Sequence, residues 1–145
     1  MGKILYTAEA HVSGGRVAGH GRTSDGALEV DLRTPPELGG EDGGTNPEQL
    51  FAVGYASCFE SAVEAVARRQ KLEPGEVEID SKVMLVTGEE RSFTIAVELA
   101  VTLPAMGGES AVELVRAAHK VCPYSNATRG NIEVTLNANG TPVDL

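Results

Sequence analysis

The sequence predicts a single α+β domain over residues 1–145, and three observations lead to this prediction. Two stretches, residues 46–71 and 110–122, carry helix start signals followed by a helical length of chain. Short apolar runs with strand character lie before, between and after them. The resulting order is strands, helix, two strands, helix, strand, which is typical of an α+β domain with the first helix near its centre.

The first third of the chain predicts a short antiparallel meander. Apolar-rich extended runs occupy residues 3–12 and 28–32, and turn-rich segments around Gly15 and Gly26 separate them. The Gly- and Pro-rich stretch 34–47 reads as an internal loop rather than a linker between domains.

The first helix has the strongest start signal in the sequence. Asn46 is a good cap, Pro47 suits the first helical position, and Gln49 follows the cap by three residues as in a capping box. The helix should run to about Lys71. Its interior, residues 50–66, is apolar or small nearly all round, which indicates a buried helix that other backbone approaches closely.

The rest of the chain predicts two strands, a helix and a last strand. The strands span residues 77–86 and 93–103, and the second alternates strictly, so one of its faces should be packed. A second helix should open at Ser110, with Glu113 completing a capping box, and end near Cys122 because Pro123 cannot continue it. The last strand should cover residues 131–137.

Composition narrows the classes of function. The net charge is −9, and the twelve Lys and Arg form no long cluster, so nucleic acid is not expected as a partner. No run of 18 apolar residues occurs, which predicts no membrane span. Glu9 and His11 interrupt the apolar N-terminal stretch before it could serve as a signal-peptide core, so we expect a cytoplasmic protein.

Cys58 lies in the middle of the predicted buried helix. It can be read as a small core residue, because free cysteine is among the most buried residue types. Burial raises a thiol pKa, so a reactive Cys58 needs a nearby cation, and Arg16 in its Gly-flanked loop is the most plausible one. A guanidinium at about 4 Å would contribute roughly 4 kcal/mol, enough to bring the thiol pKa near neutrality. Arg16 can equally be a solvated loop residue.

Cys122 ends the second predicted helix. A helix C-terminus disfavours a thiolate, so Cys122 should be the poorer nucleophile of the two cysteines, which suits a resolving role. A sulfenic acid on Cys58 would then condense with Cys122 to a disulfide. The alternative is a second buried, unreactive thiol beside Pro123.

Other motifs do not predict a cofactor. His119 and Cys122 have metal-ligand spacing, but His11 and His20 do not complete a recognised zinc pattern. The glycine clusters fit neither the P-loop nor the dinucleotide fingerprint. We therefore expect no metal and no other cofactor.

Three long segments resemble the organic hydroperoxide resistance proteins, the Ohr branch of the Ohr/OsmC superfamily. They are Thr-Pro-Pro-Glu-Leu-Gly-Gly from residue 34, Thr-Asn-Pro-Glu-Gln-Leu-Phe-Ala-Val-Gly-Tyr-Ala-Ser-Cys-Phe from residue 45, and Val-Cys-Pro-Tyr-Ser-Asn-Ala-Thr-Arg-Gly-Asn from residue 121. The order of elements agrees as well, so the resemblance covers essentially the whole chain.

The resemblance implies a function and a site. It makes Cys58 the peroxidatic cysteine and Cys122 the resolving one, with Arg16 and Glu48 completing the reactive site of an organic hydroperoxide peroxidase. It implies an intertwined homodimer, with antiparallel sheets around a central buried helix and sites at the subunit boundary. The expected reductant is a dihydrolipoyl group on a protein, or another dithiol.

Helix geometry adds a condition to this resemblance. Glu48 and Cys58 are roughly ten residues apart, hence about 15 Å along a straight helix, so Glu48 should reach the site from the other subunit unless the helix is broken. A carboxylate beside a thiolate opposes ionisation, so Glu48 should hold Arg16 in a bidentate pair rather than activate Cys58.

The neighbours Phe51 and Tyr55 suggest an apolar pocket for alkyl or lipid hydroperoxides. Three alternatives stay open at this point. The chain can belong to the OsmC branch, which shares the fold and the chemistry. It can be a thiol redox sensor without turnover, or a structural dimer whose thiols are unreactive.

Overall fold

The structure is a computed structural model that describes residues 2–145, and it divides the chain after Leu50. The first unit, up to Leu50, holds the strands β1 (Ala10–Ser13), β2 (Ala18–Thr23) and β3 (Glu29–Arg33) and a 3₁₀ turn, Pro36–Leu38. The long helix α1 (Pro47–Gln70) begins in this unit and continues into the second. The second unit, Phe51–Leu145, also holds β4 (Glu78–Thr87), β5 (Phe93–Thr102), α2 (Gly108–Val121), α3 (Pro123–Thr128), β6 (Val134–Ala138) and β7 (Thr141–Val143). These elements confirm the α+β class.

The first sheet is an antiparallel meander in the order β1-β2-β3, as predicted, but its strands differ from the prediction. Only the end of the run 3–12 is a strand, and residues 2–9 carry no assigned strand. The sequence prediction also missed β2, because its buried positions are Gly19 and Gly21 and show no apolar alternation. A Cβ at Gly19 would lie 1.9 Å from the Gly15 carbonyl oxygen, so only glycine fits there.

The helix α1 begins and ends where the sequence predicts. The Oδ1 atom of Asn46 accepts a hydrogen bond from the backbone N–H of Gln49 at 2.9 Å, which is the expected cap. The side chain of Gln49 turns to the hydroxyl of Thr45 instead of completing the capping box.

Burial of α1 is one-sided in this single chain, contrary to the all-round burial expected. One face carries the large buried residues Tyr55, Phe59 and Val63, whereas Val53 on another face is 72% exposed. Among the described residues, α1 is also the one helix that could cross a membrane by length and composition. The core helix of a soluble protein passes the same test, and the buried face of α1 belongs to the hydrophobic core. The absence of a membrane span therefore stays a prediction.

The second sheet has the order β4-β5-β6-β7 and is mixed rather than antiparallel throughout. β4 and β5 form a long antiparallel pair, but β6 runs parallel to β5. The parallel pair arises because α2 and α3 return the chain to the end of the sheet at which β5 began. The alternating face of β5 is packed as predicted, since Val97, Leu99 and Val101 are each 1% exposed.

The predicted boundaries after β5 need three corrections. α2 starts at Gly108 with Gly107 as its cap, and Ser110 lies inside the first turn, where its hydroxyl donates to the Gly107 carbonyl. Pro123 ends α2 as expected but also opens α3, because proline is well suited to a first helical position. The short strand β7 follows β6 through a turn in which Asn139 and Gly140 have positive φ.

Candidate active site

The two cysteines of the chain meet in the second unit. Cys58 projects from the middle of α1 and is partly exposed, whereas Cys122 lies at the junction of α2 and α3 and has no exposed surface. The Cys122 thiol lies close enough to Cys58 to affect its ionisation, and neither cysteine is in a disulfide. The structure thus brings together the two thiols that the sequence singles out.

The surroundings of Cys58 favour the neutral thiol. Burial is the largest cause that raises the pKa of Cys58, and contact with Cys122 raises it further. The backbone N–H of Tyr124 donates a hydrogen bond to the sulfur and lowers the pKa, which is the opposite effect. Within the described part of the second unit no cation contributes. A reactive thiolate at Cys58 therefore needs a positive charge from outside this unit.

Arg16 and Glu48 form a bidentate ion pair in the first unit. The two guanidinium nitrogens of Arg16 donate to the two carboxylate oxygens of Glu48, each at 3.1 Å. The side chain of Glu48 is 16% exposed and that of Arg16 is 40% exposed. The hydrogen bonds from Arg16 lower the pKa of Glu48, so the carboxylate stays ionised well into the acid range.

The position of Arg16 depends on the tight turn between β1 and β2. Gly14 and Gly15 precede it with positive φ values of 80° and 65°. A Cβ at Gly14 would lie 2.2 Å from the Ala18 carbonyl oxygen, so this turn requires glycine there. The backbone therefore presents Arg16 on a short, sterically restricted loop.

Three aromatic rings pack together beside α1, the helix that carries Cys58. Phe51 packs edge-on against both Tyr55 and Tyr124, with ring centroids 6.0 and 5.7 Å apart. Gly54 lets Tyr124 lie directly over the helix, since a Cβ there would be 3.0 Å from the Tyr124 hydroxyl. The sequence predicts Tyr55 as a pocket residue. In the structure Tyr55 is completely buried and packs against the rings of Phe51 and Tyr124.

The hydroxyl of Tyr55 joins a buried polar group that the sequence does not predict. It lies 2.8 Å from the Ser125 Oγ atom and 3.2 Å from the Thr128 Oγ1 atom, and all three residues are buried. The only sequence signal was the presence of hydroxyl residues in the run after Cys122. Their burial depended on α3, which was not predicted.

His119 is buried but does not form part of a metal cluster. Its Nδ1 atom has no hydrogen-bond partner, and burial, followed by the charge of Arg129, lowers its pKa. Within residues 2–145, no group of three or more His, Cys, Asp or Glu side chains could hold a metal ion. Among the described residues, the fold therefore brings no further metal ligand to His119 and Cys122.

Comparisons with known proteins identify the family of the chain. A family model described as OsmC-like protein matches residues 39–137. An organic hydroperoxide resistance protein of Xanthomonas axonopodis pv. citri is 56% identical over 138 residues, covering 92% of this chain and 94% of that protein. The OhrB protein of Bacillus subtilis, also named for organic hydroperoxide resistance, is 47% identical over 133 residues, covering 91% and 96%.

Solved structures give the same result. The crystal structure of an organic hydroperoxide resistance protein from Legionella pneumophila matches with a TM-score of 0.90 and 50% identity, covering 94% of this chain and 98% of that one. One from Vibrio cholerae, with captopril in one of its active sites, matches with a TM-score of 0.92 and 42% identity, covering 97% and 96%.

The chain is thus an α+β protein in which a helix-borne cysteine lies close to a second, buried cysteine. The comparisons are more specific, and they show that the chain belongs to the Ohr branch of the Ohr/OsmC superfamily. Its relatives in that branch are named for resistance to organic hydroperoxides.

Proposed function

We propose that this protein is a thiol peroxidase that reduces organic hydroperoxides to alcohols, with Cys58 as the attacking thiol and Cys122 as the resolving one. Its family supports a role in organic hydroperoxide resistance and oxidative stress response. The observation that supports the mechanism is the proximity of the Cys58 and Cys122 thiols, neither of which is in a disulfide. When one of two neighbouring thiols is oxidised to a sulfenic acid, the other can condense with it to a disulfide without large movement.

The proposed peroxidase reaction has three steps. The Cys58 thiolate attacks the terminal oxygen of the hydroperoxide, the O–O bond breaks, and the alkoxide takes a proton to leave as the alcohol. Cys122 loses its proton and attacks the sulfur of the resulting sulfenic acid, which forms the disulfide and releases water. A dithiol then reduces the disulfide by exchange and becomes a disulfide itself.

Arg16 supplies the charge that the second unit lacks. Its guanidinium would stabilise the Cys58 thiolate and then the negative charge that develops on the peroxide oxygens as their bond breaks. Glu48 holds the guanidinium in a bidentate pair and so fixes its direction. This division of roles avoids placing a carboxylate directly beside the thiolate.

A homodimer is the arrangement that allows these groups to meet. The helix α1 runs without a break from Pro47 to Gln70, so Glu48 and Cys58 of one chain are about 15 Å apart along its axis. The partner subunit's Arg16 and Glu48 would complete the site around Cys58. Exposed apolar side chains support a second copy, since Val53 on α1 and Leu5 near the N-terminus are 72% and 88% exposed.

The substrate is an alkyl or lipid hydroperoxide rather than hydrogen peroxide. The partly exposed rings of Phe51 and Tyr124 offer apolar contact for an organic chain beside Cys58, and buried Tyr55 backs them. The reductant is a dihydrolipoyl group on a carrier protein or a comparable dithiol. We place this reaction in the cytoplasm, with neither nucleic acid nor a membrane as partner.

One experiment tests the reaction and separates it from its rivals. Reduced protein is treated with an organic hydroperoxide, its intact mass is recorded, and peroxide consumption is followed after addition of dihydrolipoamide. Loss of two hydrogen atoms together with turnover supports a peroxidase. Oxidation without turnover would instead indicate a redox sensor, and an unchanged mass would indicate unreactive thiols.

The variant Cys122→Ser makes the assignment of roles testable. It should leave the first oxidation of Cys58 intact, while the product becomes a sulfinic acid or a mixed disulfide instead of the internal disulfide. The matched variant Cys58→Ser should abolish oxidation by the peroxide. Equal loss in both variants would contradict the division into attacking and resolving thiols.

A further inference from the structure

We propose that Tyr55 is a positioning residue whose hydroxyl, linked to Ser125 and Thr128, holds Cys122 and the Tyr124 N–H against Cys58 and thereby limits overoxidation. This inference rests on the proposed peroxidase function and adds a control on its second step. It starts from the buried hydroxyl network, which the reaction itself does not use.

The network joins the two helices that carry the reacting groups. Tyr55 lies three residues before Cys58 on α1, hence on nearly the same side of that helix. Ser125 lies three residues after Cys122, in the first turns of α3. The Tyr55 hydroxyl, with contacts at 2.8 and 3.2 Å, is therefore a cross-link between the helical segments on which the two thiols sit.

The protons of the network can be assigned by counting. Each hydroxyl has a single proton, and Thr128 donates its own to the Tyr124 carbonyl oxygen at 2.9 Å. Thr128 can then only accept from Tyr55, which leaves Tyr55 to accept from Ser125. The result is a continuous chain from Ser125 through Tyr55 and Thr128 to the backbone of Tyr124.

This chain ends on the residue that touches the reactive sulfur. The carbonyl of Tyr124 accepts from Thr128, and the N–H of the same residue donates to Cys58. Tyr55 and Ser125 have no exposed surface and Thr128 is 6% exposed, so water cannot readily replace a lost partner. Removing the Tyr55 hydroxyl leaves Ser125 without its acceptor and loosens the start of α3, where Cys122 sits.

The test is the variant Tyr55→Phe, which keeps the ring and its packing. Reduced protein is treated with increasing organic hydroperoxide, and mass spectrometry gives the ratio of Cys58 sulfinic acid to internal disulfide. We expect disulfide formation to slow by about tenfold, the order expected for a buried hydroxyl left unpaired. The sulfinic fraction should then rise at peroxide concentrations that leave the parent protein as disulfide.

A matched pair at Thr128 separates the hydroxyl from the packing. Thr128→Val removes the hydroxyl and should reproduce the effect, whereas Thr128→Ser keeps it and should behave like the parent. Val66→Ala serves as a stability control, since Val66 is buried on α1 about 12 Å beyond Cys58.

Two outcomes would overturn the proposal. One is an unchanged sulfinic-to-disulfide ratio in Tyr55→Phe, and the other is an equal rise in Val66→Ala, which would mean that general loss of stability is the cause. Failure of the underlying peroxidase function shows separately, because the parent protein would then form no disulfide at all.

Discussion

At the scale of single residues, the most informative one is Cys58, whose pKa is raised where a peroxidatic thiol needs it lowered. A raised pKa means that the folded state binds the thiol proton more tightly than the unfolded state does. The neutral thiol is therefore stabilised at neutral pH, and that stabilisation is lost as the pH rises through the folded pKa. The proposed reactivity of Cys58 at neutral pH therefore requires a cation from outside the second unit.

The variant Arg16→Gln tests this dependence. The pH at which the peroxide reaction reaches half its maximal rate should move upward by about two to three pH units, because one guanidinium near the thiol contributes roughly 4 kcal/mol. Stopped-flow oxidation rates measured across the pH range give the profile. Arg16→Lys is the control, since it keeps the charge but loses the bidentate pair with Glu48. An unshifted profile in Arg16→Gln would remove Arg16 from the site.

His20 offers a second residue whose titration can be predicted. Its Nδ1 and Nε2 atoms each lie 2.9 Å from a carboxylate, of Asp31 and Glu29 respectively. These hydrogen bonds, that of Asp31 first, raise the pKa of His20. The contribution of this pairing to stability is full below the unfolded pKa of His20 and is lost as the pH rises through the higher folded pKa.

NMR titration of the His20 imidazole provides the measurement. Asp31→Asn should lower its pKa more than Glu29→Gln does, because the bond to Asp31 is the larger cause. Identical titration curves in the parent and both variants would show that the pairing does not persist in solution.

At the scale of elements, α1 shows what can be read from sequence. Its start was predictable because Asn46, Pro47 and Gln49 act locally, and the face of β5 was predictable because its apolar period is strict. β2 was not, since its buried positions are glycines. Nor was α3 predictable, because Pro123 in the sequence indicates only the end of α2. The parallel pairing of β6 with β5 follows from the crossover and not from any local pattern.

The residues of the candidate site also differ in how far the sequence predicts them. The two cysteines could be selected from their positions on predicted helices, but the residues alone left Cys58 as a possible core thiol. Arg16 can be proposed as the nearby cation from its Gly-flanked loop, whereas Glu48 follows only from the family resemblance, and their pairing is a contact between distant segments. The hydroxyl network was unpredictable because it requires α3.

The cap of α1 can be tested directly. Asn46→Ala removes the acceptor for the Gln49 N–H and should cost about 1 kcal/mol, or roughly 2 to 4 °C in Tm for a chain of this size. Asn46→Asp keeps an acceptor and should retain most of the stability. Thermal unfolding followed by circular dichroism gives both values, and equal Tm values for Asn46→Ala and the parent would show that the cap contributes nothing.

At the scale of the whole molecule, the proposed dimer makes a prediction that a monomeric enzyme does not. Arg16→Gln and Cys58→Ser homodimers should both be impaired. In a heterodimer of the two variants, one site would combine both substitutions and the other would be intact, so about half of the parent activity should return. Two different affinity tags on co-expressed chains allow this species to be purified. Activity no higher than in the Arg16→Gln homodimer would place Arg16 and Cys58 of one chain in the same site.

The single-domain organisation predicted from the sequence has a related test. Although the chain divides into two compact units, α1 begins in one and continues into the other, so we expect the units to unfold together. Calorimetry should show one cooperative transition, and two separate transitions would contradict a single domain.

In the proposed reaction, the proximity of Cys58 and Cys122 also sets the redox chemistry of the protein as a whole. A fold that holds two thiols together gives each a high effective concentration toward the other and so favours the internal disulfide. By thermodynamic linkage, the disulfide stabilises the folded state by the same free energy. Because the bridge would close a loop of about 60 residues, that contribution is on the order of 4 kcal/mol. Every turnover of the proposed peroxidase would have to reverse this stabilisation. Monothiols would be poorly suited to this task, whereas a dithiol that closes its own ring brings a comparable entropic advantage, so we expect the geometry of the resting site to favour a dithiol as electron donor.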